Sequence, residues 1–483
     1  MTITLPGRTG ASVYVLKYNT SGNPIWATSF AHTTSTGGSN VVATYSTDVY
    51  IAGYSALSNV SLSNADGTFP TPSVTTPSVA VNHVYLAKYD TNGNVKWIIS
   101  PIRASSQDLA YSLAIDSTGV YLAGRYNNAT DPLYLKTASG GTSTVTLPTT
   151  SNVDAFLVKH DVDGNPIWAA SVQDDAGGQG NAVATYSTDV YFSGSYNAGS
   201  SFVLSNANGI ASSITLPSTL VADAFLVKYN TSGDVQWAAS IQGSGPDNGQ
   251  SLATDSTGVY MAGVYYNASS ISLSNAGGGA PTPSVTLQSS SSANCAYIAK
   301  YDTNGVVKWA ISIKGNSTSA CYAVAVGSQG VYATGTYVST SQTTLSNGDG
   351  STSAIALPAN GYCYIIKCDT SGTISWVRTF GGSATSVTGY SVSLDSTGVY
   401  VTGQYIAGSN LSILDAAGST ARTLQNGSGA FYVKYNHDGV VQWAAATPTT
   451  GITTTRGCSA DSTGVYFSGY YTSTDPVPVN PGV

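Results

Sequence analysis

Seven lysines and seven tryptophans keep one fixed spacing along the chain. Lys17, Lys88, Lys159, Lys228, Lys300, Lys367 and Lys434 each stand nine residues before Trp26, Trp97, Trp168, Trp237, Trp309, Trp376 and Trp443. Two kinds of chemistry suit such a set. The ammonium groups, brought together, would form a positive ring for an anionic ligand, and the indoles would form stacking platforms for sugars. The structural alternative sets each Lys diagonally across a hairpin from its Trp. The Lys stem then covers the indole in a cation–π contact of about 0.5–1 kcal/mol. The indoles fill wedges between neighbouring units. A single framework position for all of them favours the structural reading, since sugar platforms sit more often on loops with exposed rings.

Other candidate groups fit worse. Asp161-Val162-Asp163-Gly164-Asn165 resembles the start of a calcium loop, but such loops close with a bidentate Glu, and all 24 acidic residues of this chain are Asp. It reads as an Asx turn. The recurring Asp-Ser-Thr-Gly at Asp116, Asp255, Asp395 and Asp461 reads as a hairpin turn, replaced in two copies by Ser46-Thr47-Asp48 and Ser187-Thr188-Asp189. His32, His83, His160 and His437 fall at unrelated repeat positions, and no His-x-x-x-His or Cys-x-x-Cys spacing exists, so no metal site is expected. No nucleophile elbow, P-loop or dinucleotide fingerprint fits, and without Glu only an Asp pair is left for acid–base work. The expectation is a chain with no catalytic residue, no cofactor and no metal, whose ligand-binding residues the motifs leave unassigned.

Cys363 and Cys368 lie five apart in one strand, on opposite faces, and cannot bond each other. With Cys295, Cys321 and Cys458 at unmatched positions, the cysteines read as reduced, buried thiols of a chain folded in a reducing compartment. Sequons such as Asn59, Asn128, Asn267, Asn316 and Asn410 are no more frequent than the Asn, Ser and Thr content produces by chance.

The elements that carry these residues repeat with them. Successive Trp spacings are 71, 71, 69, 72, 67 and 67 residues, and the 483-residue chain divides into seven units of 69. Each unit holds two hairpins. The first is typified by Ala224–Tyr229, the Asx-started turn Asn230-Thr231-Ser232-Gly233, and Asp234–Ser240. The second is typified by Ser251–Asp255, Ser256-Thr257-Gly258 and Val259-Tyr260-Met261-Ala262-Gly263. Two hairpins make four strands, and four strands repeated seven times predict an all-β, seven-bladed β-propeller. The repeats run about 13–83, 84–154, 155–223, 224–295, 296–362, 363–429 and 430–483 plus 1–12, as a single domain over 1–483. A third segment, typified by Leu204-Ser205-Asn206-Ala207-Asn208-Gly209 and Ile214-Thr215-Leu216-Pro217, adds a short exposed hairpin between blades. The chain opens on Ile3-Thr4-Leu5-Pro6, the end of such a segment, and finishes just after a second hairpin, so the two termini should close the ring in one composite blade.

The string Ala-Phe-Leu-Val-Lys-Tyr-Asn-x-x-Gly-x-x-x-Trp, followed by Asp-Ser-Thr-Gly-Val-Tyr-x-x-Gly, resembles the SBBP family of β-propeller repeats. That resemblance covers essentially the whole chain. It implies the fold and no shared catalytic residue. Composition narrows the function further. Charged residues make up 8% of the chain, with 17 Lys and Arg against 24 Asp and a net charge of −7, which argues against nucleic acid. No apolar run approaches the ~20 residues of a membrane span, and no export signal is visible. The expected function is a non-enzymatic structural or adhesion component on the exterior of a virion, fibre or cell surface. Its partners would be protein subunits of that assembly. The alternative is an extracellular, glycan-binding lectin with repeated shallow sites.

Overall fold

β-branched and aromatic residues alternate between the two faces of each strand, and Asx or Gly interrupts the run where the chain must turn. A computed structural model describes residues 3–483 except 32–40, 56–59, 71–82, 103–107, 128–131, 151, 175, 198, 200–201, 218–220, 267–270, 283, 290–292, 315–316, 340, 360, 416–418, 426–427 and 450. The strands form seven four-stranded antiparallel blades in a ring, a seven-bladed β-propeller. Among the described residues, the helical segments are single turns at Ala207–Gly209 and Ala276–Gly278.

Each blade takes the second hairpin of one sequence copy and the first hairpin of the next. In blade 5, Asn248–Asp255 lines the channel, followed outward by Gly258–Tyr265, Cys295–Tyr301 and Val307–Lys314. Blade 1 is the composite: Thr453–Asp461 and Gly464–Ser473 come from the C-terminal end, Arg8–Tyr18 and Pro24–Ala31 from the N-terminal end. Direct backbone pairing joins the two, with Val13 opposite Tyr470 and Leu16 opposite Phe467. Blades 6 and 7 share one strand, Ile374–Asp395, which pairs with Cys363–Cys368 at one end and with Gly398–Leu414 at the other.

The linking segments clamp neighbouring blades. Phe202–Leu204 pairs with the outer strand of blade 3, while Asn206 Oδ1 accepts the Val235 N–H of blade 4. Leu133–Lys136 with Thr142–Leu147, and Ile271–Ser272 with Thr286–Leu287, form the expected short hairpins. The termini rebuild the same unit from two pieces. Ile3–Leu5 pairs with Val477–Val479, and the Tyr471 hydroxyl donates to Pro6 O as Tyr126 does to Pro148 O and Tyr196 to Pro217 O. The Pro-rich tail is held by its backbone, with Gly482 N–H on Gly22 O and Val483 paired to Ala444. These are the bonds that Ala207 N–H makes to Gly233 O and Ala276 N–H to Gly305 O inside the chain.

The apolar core lies between blades rather than within them. One cluster joins Leu226, Ala239 and Trp237 of blade 4 to Met261, Tyr297 and Tyr301 of blade 5. Trp26, Trp168, Trp237, Trp309 and Trp443 are buried, and Trp97 and Trp376 are half-buried, all at the same inter-blade position.

Candidate functional site

Two sets of polar residues are placed by this geometry, one repeated in every blade and one not. The repeated set is the lysine ring. A bulge after each Lys lets it face its Trp directly: Lys17 pairs with Trp26 and Tyr18 with Pro24, which passes over Ile25. The expected diagonal placement is therefore corrected by one residue. The cation–π partner also differs from the expectation. Each Lys Nζ lies 4.8 to 5.7 Å from the ring centroid of the Val-Tyr tyrosine on the adjoining strand, Tyr466 for Lys17 and Tyr260 for Lys300, for example. The Trp packs on the same tyrosine ring from the outer strand, beyond the Lys strand.

Each Lys also reaches across to the next blade. Its Nζ donates to the carbonyl of the second residue of that blade's Asx turn, at 2.9 to 3.5 Å. The Trp Nε1 donates to the same carbonyl in six blades, and Trp97 Nε1 has no partner. The turn Gly must come close: a Cβ there would sit 2.8 to 3.3 Å from the preceding blade's indole, and its φ lies between 78° and 88°. Carboxylates complete the cluster in several blades. Lys228 pairs with Asp189 at 2.8 Å and Lys88 with Asp48 at 2.7 Å, and these are the Asp residues that moved to the end of the turn. Blade 6 has no Asp in this turn, and there Tyr332 bonds His437 Nδ1 at 2.8 Å. Burial holds Lys17, Lys159, Lys300 and Lys434 below their ordinary pKa, with Asp461, Asp116, Asp255 and Asp395 opposing it in turn. The lysine and tryptophan sets are thus occupied in joining blades.

The other sequence candidates fall into place individually. Asp161 Oδ1 accepts the N–H groups of Asp163 and Asn165, an Asx turn. Asp116, Asp255, Asp395 and Asp461 cap their hairpin turns through the Thr two residues on. His160 and Cys368 stand where other copies have the tyrosine after Lys. Burial lowers His160 to about 4, and neither ring nitrogen has a partner. Burial pushes the Cys295 thiol up to about 11 and Cys321 to about 12, and all of the cysteines are free. Among the described residues, no group of three or more His, Cys or Asp is placed to hold a metal. His32 and the sequons at Asn59, Asn128, Asn267 and Asn316 lie outside the described residues.

The unrepeated set lines the central channel, a cavity of about 560 Å³. In six blades the inner strand carries a β-bulge, at Tyr111, Asn181, Gln250, Tyr322, Tyr390 and Arg456. A bulge re-aims one side chain, and all six residues line the cavity. Tyr54 joins them from a second strand. Arg456 stacks on Tyr390, its guanidinium 4.0 Å from the ring centroid, and Arg125 lies 6.0 Å from Tyr111. Sequence reading missed this ring, because no one residue type holds the position in every copy. The available signal was an extra residue, Tyr in three copies and Asn, Gln or Arg in the others, early in the second hairpin.

On the same end of the ring, Asp223 and Asp247 are buried side by side, Asp223 accepting the Gly243 N–H and Asp247 that of Tyr266. Burial, then repulsion from Asp223, pushes Asp247 up to about 8. A carboxyl raised above its unfolded value is fully accommodated below about pH 4, and its charge destabilises the fold increasingly as pH rises through the folded value. Asp247→Asn should therefore stabilise the protein by about 2–4 kcal/mol at pH 8.5 and by close to nothing at pH 4. Urea melts at the two pH values measure this; an equal effect at both would remove the raised carboxyl from the account.

The fold and the channel define a seven-bladed β-propeller whose blades are glued by repeated Lys–Trp–Tyr clusters and whose channel carries residues not shared by every blade. No family model matches the chain. In an alignment of 369 positions that covers 65% of its length, it is 23% identical to an uncharacterized WD repeat-containing protein of Acanthamoeba polyphaga mimivirus. That stretch is 25% of the viral protein, so the chain spans about a quarter of the curated relative it matches.

Proposed function

We propose that the protein is a non-enzymatic interaction scaffold, a structural or adhesion propeller displayed on the exterior of a large assembly such as a virion. The observation that carries this reading is the rim. Large apolar side chains stand exposed on or beside the linking segments of several blades: Phe69, Tyr134, Val203, Ile210, Val338 and Ile406. Exposed apolar side chains repeated around a rigid edge suit protein partners. The viral relative is in keeping with a virion. Buried free thiols accord with folding in a reducing compartment. The motif, repeated in all copies, supports assignment of the repeat to the SBBP type.

The alternative is a lectin with equivalent sites on several blades, and stoichiometry separates the two. Titration of the isolated protein against neutral oligosaccharides is expected to show no binding at repeated sites. Saturable binding of several neutral glycans per chain would overturn the scaffold reading in favour of the lectin.

A further inference from the structure

The channel mouth opposite the tight turns carries positive charge without a carboxylate partner among the described residues. Ion pairs among the described residues all involve Lys, so neither Arg125 nor Arg456 is paired with a described carboxylate. Arg125 Nε is buried with no hydrogen-bond partner, and the Arg456 side chain is exposed to the channel. Arg456 lines the cavity, and Arg125 lies over the ring of Tyr111, itself a lining residue. Burial raises the Tyr54 phenol above its ordinary value and Tyr470 adds to the rise, while Arg125 and Arg456 both oppose it. Arg125 acts on Tyr111 in the same sense, and Arg456 on Tyr322. Tyr322 and Tyr390 stand ring to ring at 5.7 Å beside Arg456. Across the channel the bulge residues are amides, Asn181 and Gln250.

We propose that this mouth is a single binding site for a small acidic sugar, whose carboxylate, sulfate or phosphate lies against Arg456, with the Arg125 charge beyond the wall at Tyr111. An exposed fork of N–H donors set over a tyrosine ring is suited to a planar or tetrahedral oxyanion. The tyrosine arc supplies ring faces with polar tips for the sugar body, and the amides opposite supply donors and acceptors for its hydroxyls. The cavity of about 560 Å³ is the size of a small-molecule pocket. It has no counterpart in the repeat, so it binds one ligand per chain. This inference goes beyond the scaffold reading and is independent of it.

Calorimetric titration of the full chain with glucose 6-phosphate, glucuronate and N-acetylglucosamine 6-sulfate tests it, with glucose and inorganic phosphate as the other arms. At least one acidic sugar should bind with a stoichiometry of one and at least tenfold more tightly than glucose. Inorganic phosphate should bind more weakly than that sugar; if it binds as tightly, the site takes a free anion and the sugar assignment fails. Arg456→Gln should weaken the acidic sugar at least tenfold with the melting temperature unchanged, and Arg125→Gln should weaken it less, whereas Arg422→Gln, on a linking segment, should leave binding intact. Unchanged affinity in Arg456→Gln, equal binding of glucose, or no binding of any acidic sugar would overturn the proposal. Neutral glycans bound at several sites would count against the scaffold reading alone.

Discussion

Deletion of residues 1–18 is expected to abolish cooperative unfolding. The deletion removes Arg8–Tyr18, the strand that pairs with Gly464–Ser473, and Ile3–Leu5, which pairs with the C-terminal tail. Two strand edges are then left open, one on each side of the gap. Tyr14, Leu16 and Tyr18 also leave the cluster that joins blade 1 to Tyr432 and Trp443 of blade 7. In a closed ring every blade has two neighbours, so losing one junction weakens all of them. Thermal unfolding followed by calorimetry should change from one sharp transition to a broad, low-enthalpy one. A truncated protein that melts as sharply as the full chain would show that closure by the termini does not hold the ring together.

The second large effect belongs to the tryptophans. Trp237→Ala should cost about 3–5 kcal/mol. The substitution empties a wedge bounded by Tyr191, Tyr301 and Gly305, and it removes one of the two donors to Thr303 O. Trp97→Ala should cost clearly less, because that indole is half-buried and its Nε1 has no partner to lose. Denaturant melts of the two variants decide the matter. Equal costs would mean that burial and the shared carbonyl are not what gives these residues their effect.

Much of this architecture was legible because it is repeated. A Lys, an Asx turn with Gly and a Trp recurring at one spacing fix a hairpin, its register to within a residue, and its place in every blade. The composite blade was legible as well, since Ile3-Thr4-Leu5-Pro6 has the form of an internal linking segment. Two things were not. The register shift that puts Lys17 opposite Trp26 depends on a bulge at Ile25, and nothing in the side-chain types announces it. The tyrosine under each Lys comes from the other hairpin, so the contact between Lys300 and Tyr260 is tertiary and invisible to spacing. The channel was hidden for a related reason. Tyr111, Asn181, Gln250 and Arg456 belong to three chemical types, and the bulge that turns them inward makes them a group.

The account rests on a division of labour, in which repeated residues join blades and unrepeated bulge residues face the channel. Melting temperatures of Lys300→Gln and Arg456→Gln, measured side by side without ligand, test it most directly. Lys300 is buried, donates to Thr370 O in the next blade and lies over Tyr260, so its loss should lower the melting temperature by several degrees. Arg456 bonds no described residue and lies exposed over Tyr390, so its loss should leave the melting temperature where it was. A stable Lys300 variant beside an unstable Arg456 variant would contradict the account.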